Sequence, residues 1–199
     1  MVTIGLTGPS GAGKSAVSEI MRQYGFHVID ADKVYHDIIS PPSACLDELV
    51  ENFGSNILTP DGCLDRAALS MQVFADNASK LELLNKITHK YVVDRIRNII
   101  YCTCSVMPAA CVIDAPLLIE AGLQVDCLFT IAVLADKDIR AKRISLRDGM
   151  SINRAYERIN AQKSDDYYID ECDYVIYNNG QLSELKTCVD NILRDRSII

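Results

Sequence analysis

Gly8-Pro9-Ser10-Gly11-Ala12-Gly13-Lys14-Ser15 fits the pattern G-x-x-x-x-G-K-[ST] at every fixed position. These residue types suit one kind of chemistry. The glycines let the backbone curl until its N–H groups converge on phosphate oxygens. A helix starting at the end of the loop adds a partial positive charge. Lys14 is then placed to reach the β- and γ-phosphates, and the Ser15 hydroxyl to ligate Mg²⁺. Gly8, Gly11, Ala12, Gly13, Lys14, Ser15 and Ala16 form the expected ATP-contacting run. The motif points to a nucleoside triphosphate site and does not by itself name a reaction.

Carboxylates come next. Asp30-Ala31-Asp32 follows the apolar run His27–Ile29. In an extended chain, residues two apart share a side. The carboxyl ends of parallel strands border the ligand crevice. A carboxylate there can take a proton from an attacking hydroxyl. Aspartate is also a favoured helix N-cap. The reading is that Asp30 serves structure and Asp32 is the base. Asp114 ends another apolar run and is expected to stand behind the Mg²⁺ site. Glu120 follows in Pro116-Leu117-Leu118-Ile119-Glu120, either as a helix cap or as a substrate contact.

Between Lys137 and Lys163 the chain carries eight bases against three acids. That segment is +5 on a remainder of −12. On a helix, Arg140, Arg143 and Arg147 share a face, and Arg154 and Arg158 do so on the next. A charge run is usually only a solvated face. Beside a triphosphate site in an acidic chain, it reads instead as a helical pair closing over ATP. Such a pair would neutralise charge on the transferred phosphoryl group and exclude water. Gly149 is the hinge expected of that lid.

These residues need a scaffold. Five apolar, β-branched runs read as strands: Val2–Leu6, His27–Ile29, Cys111–Asp114, Cys127–Leu134 and Tyr174–Ile176. Helical patterns separate them. The fold class is therefore α/β, with a central five-stranded parallel sheet flanked by helices. Helices are expected over Lys14–Tyr24, about Ser79–Ile100, Asp136–Asp148 with Gly149 as the stop, and Leu182–Leu193. Over eighty residues separate Asp32 from Val112, whereas a simple crossover needs about a dozen. The surplus must be mainly helical. One domain, 1–199, is expected. It comprises a core (about 1–32, 106–136 and 166–199), a helical acceptor-binding region (about 33–105) and a lid (about 137–165).

Composition narrows the classes. The 199 residues are 49% hydrophobic and 24% charged, with a net charge of −7. These values describe a soluble globular chain rather than a disordered one. The acidic balance argues against a nucleic-acid partner. The most apolar run, Cys127–Ala135, is about half the ~18 residues a membrane span requires. Eight cysteines without a CxxC pair, and three scattered histidines, do not suggest zinc. No secretory signal opens the chain, so free thiols in the cytoplasm are expected. A guanine-reading switch would carry Asn-Lys-x-Asp. Asn85-Lys86-Ile87-Thr88 lacks the aspartate and falls in the expected long helix.

From about Ile4 to Leu193 the chain resembles the dephospho-CoA kinase family. The resemblance rests on Ile4-Gly-Leu-Thr-Gly with the phosphate loop, Val28-Ile-Asp-Ala-Asp32, Phe53-Gly54 and Asp61-Gly-Cys-Leu-Asp-Arg66. It continues through Val73-Phe74, Ile87-Thr-His89, Asp114-Ala-Pro-Leu-Leu-Ile-Glu120, Arg143 with Arg147-Asp148, Arg158-Ile-Asn-Ala-Gln162 and Asp173-Tyr-Val-Ile-Tyr-Asn-Asn-Gly180. The resemblance implies a P-loop kinase in which ATP phosphorylates the ribose 3′-hydroxyl of dephospho-CoA. It implies Asp32, Lys14 and Arg143 as catalytic residues. Arg66, His89, Pro116, Leu117, Leu118 and Glu120 would lie on the substrate side, Arg143 and Arg147 in the lid, and Asn178 near adenine. Pro9, Ala16, His36, Lys90 and Tyr177 depart from common family residues. Those departures bear on substrate-side and adenine contacts more than on the reaction.

Overall fold

Strands buried on both faces need continuous apolar sequence, and the central runs supply it. The computed structural model describes residues 2–75, 77–104 and 110–199. Its strands are β1 (Val2–Thr7), β2 (His27–Asp30), β3 (Ala110–Asp114), β4 (Phe129–Leu134) and β5 (Tyr174–Tyr177). Every residue of β4 is buried, as is β1 from Thr3 onward. The sheet is parallel, in the order β2-β3-β1-β4-β5. Leu6 of β1 lies between Asp114 of β3 and Ile131 of β4.

The described helices are α1 (Lys14–Gln23), α2 (Ala31–Ile38), α3 (Ala44–Phe53), α4 (Arg66–Ala75), α5 (Asn77–Cys104), α6 (Lys137–Asp148), α7 (Ile152–Asn160), α8 (Asp165–Glu171) and α9 (Leu182–Asp195). Ser43, Ser151 and Ser164 cap α3, α7 and α8 by accepting a main-chain N–H in the first turn. Asp136 and Gly149 bound α6, where the sequence places its start and stop.

One strand boundary needs correction. Cys127 does not open β4, because a 3₁₀ turn over Leu123–Asp126 captures its N–H on the Gln124 carbonyl at 3.1 Å. The apolar pattern therefore begins two residues before the strand does.

The chain divides into two compact units. One comprises Met1–Ile29 with Thr103–Ile199, and the other is Asp30–Cys102. In the first, Ile4, Leu6, Val112, Phe129, Ile131 and Val133 of the sheet pack with Val17 and Met21 of α1 and Val189 and Leu193 of α9. Ala141 and Ile144 of α6 pack on Ala155 and Ile159 of α7 in a small core of their own. The second unit has a separate core of Ile39, Cys45, Leu49, Phe53, Ile57, Leu69, Val73 and Ile87. Among the described residues no helix is long and apolar enough to cross a membrane. Seven cysteines are free thiols; the Cys104 side chain lies outside the described residues.

Candidate active site

β1 ends at Thr7, and the chain then turns tightly into α1. Gly8 has φ 137°, and a Cβ there would stand 2.2 Å from the Val133 carbonyl oxygen. Gly13 has φ 100°, and a Cβ there would stand 2.1 Å from Asn178 Nδ2. Both positions need glycine for backbone conformation and for space. Lys14 begins α1, and its Nζ donates to the Gly8 carbonyl at 2.9 Å across the loop. Gly13 offers α1 no side-chain cap, which leaves the helix start to an anionic ligand. Ala12 is buried, Ala16 half-buried and Ser15 exposed.

The arginines come from α6. Asp136 stands just before that helix and is tied to Asn179 by two bonds of 2.8 Å. The i, i+3 and i+7 spacing then turns three guanidinium groups toward the loop. Arg140 is 4% exposed, and its Nε donates to the Ser10 carbonyl at 3.0 Å. Burial pushes its pKa below the ordinary arginine value, and Asp165 opposes that effect. Arg143 donates to the Gly11 and Ala12 carbonyls at 3.4 and 3.3 Å. Arg147 reaches the Ser10 hydroxyl at 3.4 Å and holds Asp148 at 2.6 Å. Arg158 of α7 meets the same carboxylate at 2.8 Å. Hydrogen bonding from Arg147, then the Arg147 and Arg158 charges, hold the Asp148 carboxyl below the usual range.

The Ser18 hydroxyl donates to Asp114 Oδ2 at 2.6 Å and so orients that carboxylate at the end of β3. Magnesium carried by a triphosphate takes one or two protein oxygens and keeps its waters. An exposed Ser15 hydroxyl and an oriented Asp114 fit that demand. Among the described residues no group of three or more His, Cys, Asp or Glu could hold a metal by themselves.

After β3, Pro116 accepts the Thr7 hydroxyl at 3.2 Å, and Leu117 is 49% exposed. Leu118 is fully buried, main chain included, so, against the substrate-side expectation, it presents no surface to a ligand. Burial raises the pKa of the Tyr167 phenol on α8, and the charge of Glu120 adds to that.

The second unit holds the remaining candidates. Asp30 ends β2 and caps α2, accepting the Lys33 N–H at 3.1 Å. Asp32 is exposed in the first turn of α2. The two-residue alternation of an extended chain therefore does not relate Asp30 to Asp32, because the cap starts the helix between them. Arg66 opens α4, donates to His36 Nδ1 at 2.5 Å and lies 6.0 Å from the Tyr35 ring centre. A cavity of about 230 Å³ is lined by Tyr35, Leu64, Arg66, Ser70 and Leu84, among others. His89 is half-buried on α5.

In the first unit the structure brings together the phosphate loop, Arg143, Arg147 and Asn178. Asn178 is 8% exposed and donates one amide N–H to the Ala12 carbonyl at 2.8 Å. Sequence reasoning gave no role to Gln162 or Ser18, and none of its own to Arg140. Gln162 closes Arg158-Ile-Asn-Ala-Gln162, one of the stretches that carry the family resemblance. Burial of Arg140 alone among three arginines on one face has no signature in the sequence.

Residues 2–184 match the family model described as dephospho-CoA kinase. A dephospho-CoA kinase of Carboxydothermus hydrogenoformans is 38% identical over 193 residues, 96% of this chain and 92% of the relative. One from Corynebacterium efficiens is 34% identical over 195 residues, 98% of this chain and 97% of the relative. The solved structure of the Campylobacter jejuni dephospho-CoA kinase superposes with a TM-score of 0.70 at 24% identity, covering 98% of this chain and 96% of that one. That likeness shows the fold.

Proposed function

The chain belongs to the dephospho-CoA kinase family, and from that premise we propose how its residues carry the ATP-dependent phosphorylation of dephospho-CoA, the last step of coenzyme A synthesis. The observation that carries the reading is the arginine face of α6 lying on the phosphate loop. The three arginines are not equivalent. Arg140 is buried, with bonds of 2.9 and 3.0 Å, and braces the loop. Arg143 makes only long bonds of 3.3 and 3.4 Å to neutral carbonyls. A phosphate oxygen offers a shorter, charge-assisted bond and displaces them. Arg143 and Arg147 then meet charge on the transferred group, and Lys14 leaves Gly8 for the β- and γ-phosphates.

Asp32 takes the proton of the ribose 3′-hydroxyl as that oxygen attacks the γ-phosphorus and ADP leaves. Mg²⁺ on Ser15, with Asp114 behind it, would neutralise the phosphate oxygens. The region 33–105 binds the acceptor through Arg66 and His89, joined by Pro116, Leu117 and Glu120 from after β3. The segment 137–165 serves as the lid. Free thiols fit a reducing, cytoplasmic setting. Asn178 lies near adenine, and one of its amide N–H groups also supports the loop.

A coupled ADP-release assay with dephospho-CoA, AMP, CMP and shikimate tests the acceptor. Turnover of dephospho-CoA above the others is the expected result. No turnover of it, where another acceptor works, would overturn the reading.

A further inference from the structure

Both backbone groups of Ser10, at the tip of the phosphate loop, are held by side chains from far along the chain. Its N–H donates to Gln162 Oε1 at 3.2 Å, and its carbonyl accepts Arg140 Nε at 3.0 Å. Arg140 Nη2 donates to the same Gln162 oxygen at 2.9 Å. Its Nη1 lies 3.5 Å from Asp165 Oδ1. The N–H belongs to the Pro9–Ser10 peptide and the carbonyl to the Ser10–Gly11 peptide. Two successive peptide planes are thus fixed from one place.

Burial makes the arrangement stiff. Arg140 is 4% exposed, and a buried guanidinium is strongly unfavourable unless acceptors meet its donors. Ser10, Gln162 and Asp165 meet them. The Gln162 oxygen is therefore held in place and not merely near. The Gln162 main chain is anchored too, because its N–H donates to the Ile159 carbonyl at 3.1 Å. Gln162 lies between the end of α7 and the start of α8, at the closing end of the arginine-rich segment.

A phosphate nest works only while its N–H groups converge. A tip peptide free to rotate would splay them. We propose that Gln162 is a positioning residue for ATP: fixed by Arg140, its side-chain oxygen sets the Ser10 peptide and so keeps the loop shaped for the triphosphate. It acts through Ser10 and does not touch the nucleotide. The proposal rests on the triphosphate reading of the loop and not on the identity of the acceptor.

The test compares Gln162→Leu with Gln162→Glu. Leucine keeps much of the volume and removes the acceptor. Glutamate keeps an acceptor for the Ser10 N–H and adds a charge that suits Arg140. ADP affinity by calorimetry and KM for ATP should worsen about tenfold in Gln162→Leu, with KM for dephospho-CoA unchanged and kcat within about twofold. Gln162→Glu should restore both nucleotide readouts to within about twofold of the unaltered protein. Thermal unfolding of each variant checks that it is folded. Unchanged nucleotide affinity in a folded Gln162→Leu variant, or equal loss in both variants, would overturn the proposal. Calorimetry with ADP needs no acceptor. Failure of the acceptor reading would therefore appear as missing turnover in the unaltered protein, and failure of this proposal as unchanged affinity in the leucine variant.

Discussion

The Asn178 side-chain amide donates to the Ala12 carbonyl at 2.8 Å across 166 residues of sequence. The same amide fills the space a side chain at position 13 would need. The loop after β5 thus supports the floor of the phosphate loop. Asn178→Ala removes the shorter of two bonds to the Ala12 carbonyl and leaves only the 3.3 Å one from Arg143, which costs about 1 kcal/mol. Tm should fall by roughly 2–4 °C for each kcal/mol. KM for ATP should rise severalfold while KM for the acceptor holds. Asn178→Asp should be worse for ATP, since a carboxylate cannot donate to Ala12 and adds negative charge beside the triphosphate. Melting curves and steady-state kinetics with each substrate varied check both.

Lys14 is parked on the Gly8 carbonyl, a neutral acceptor that a phosphate oxygen outcompetes. Lys14→Ala should therefore cut kcat by roughly 10²–10³-fold and change Tm little. Turnover close to that of the unaltered protein would contradict the role given to the loop.

Asp30 caps a helix and Asp32 is exposed in its first turn, so the two carboxylates separate cleanly by experiment. Asp32→Asn should lower kcat by about 10²–10⁴-fold with KM for ATP unchanged. Asp30→Ala should instead lower Tm by loss of a cap worth about 1 kcal/mol. A loss confined to KM in Asp32→Asn would make that residue a binding group.

What was legible in the sequence follows from where the information is local. The phosphate loop is a contiguous string, and Gly8 and Gly13 have a local cause in their positive φ, although the atoms that would block a Cβ there, on Val133 and Asn178, are far away in sequence. Strands buried on both faces show as apolar runs. Capping by Asp30 was legible as an alternative, because side chain and N–H lie three residues apart. Sheet order, the Asn178–Ala12 bond and the Arg140–Gln162 brace depend on residues brought together only by folding. Arg140, Arg143 and Arg147 are alike on a helical wheel, and only packing against Ser10 and Gln162 buries the first. The early start given to the fourth strand had a similar origin. Cys127 is apolar and fits the pattern, but its N–H is taken by the preceding 3₁₀ turn.

The cysteines differ in reactivity for a physical reason. Burial pushes the Cys127 thiol up to about 12, and those of Cys45 and Cys172 up to about 11. At pH 8 a thiol of pKa near 11 is about one part in a thousand thiolate, and the thiolate is the nucleophile. Cys63, Cys102 and Cys188 are exposed. Iodoacetamide at pH 8 should therefore label those three well before Cys45, Cys127 and Cys172. Peptide mass spectrometry over a time course checks the order. Early labelling of Cys127 would contradict the burial of its thiol against Gly5 of the central strand β1.

Asp148 holds Arg147 at 2.6 Å and Arg158 at 2.8 Å, joining the end of α6 to α7. Hydrogen bonding from Arg147 lowers the carboxyl's pKa in the folded protein, with the charges of Arg147 and Arg158 adding to it. The unfolded chain then binds the proton at a higher pH than the folded one does. The contribution is therefore fully present above the ordinary carboxylate value of about 4 and disappears as pH falls through the lower folded value. Asp148→Asn should show a Tm difference from the unaltered protein that is constant from pH 8 to pH 5 and shrinks below about pH 4. Because the carboxylate is partly exposed, 1 M salt should also reduce the difference at neutral pH. Thermal scans across pH at two salt concentrations test this. A difference that grows on acidification would mean that Asp148 acts through something other than its charge.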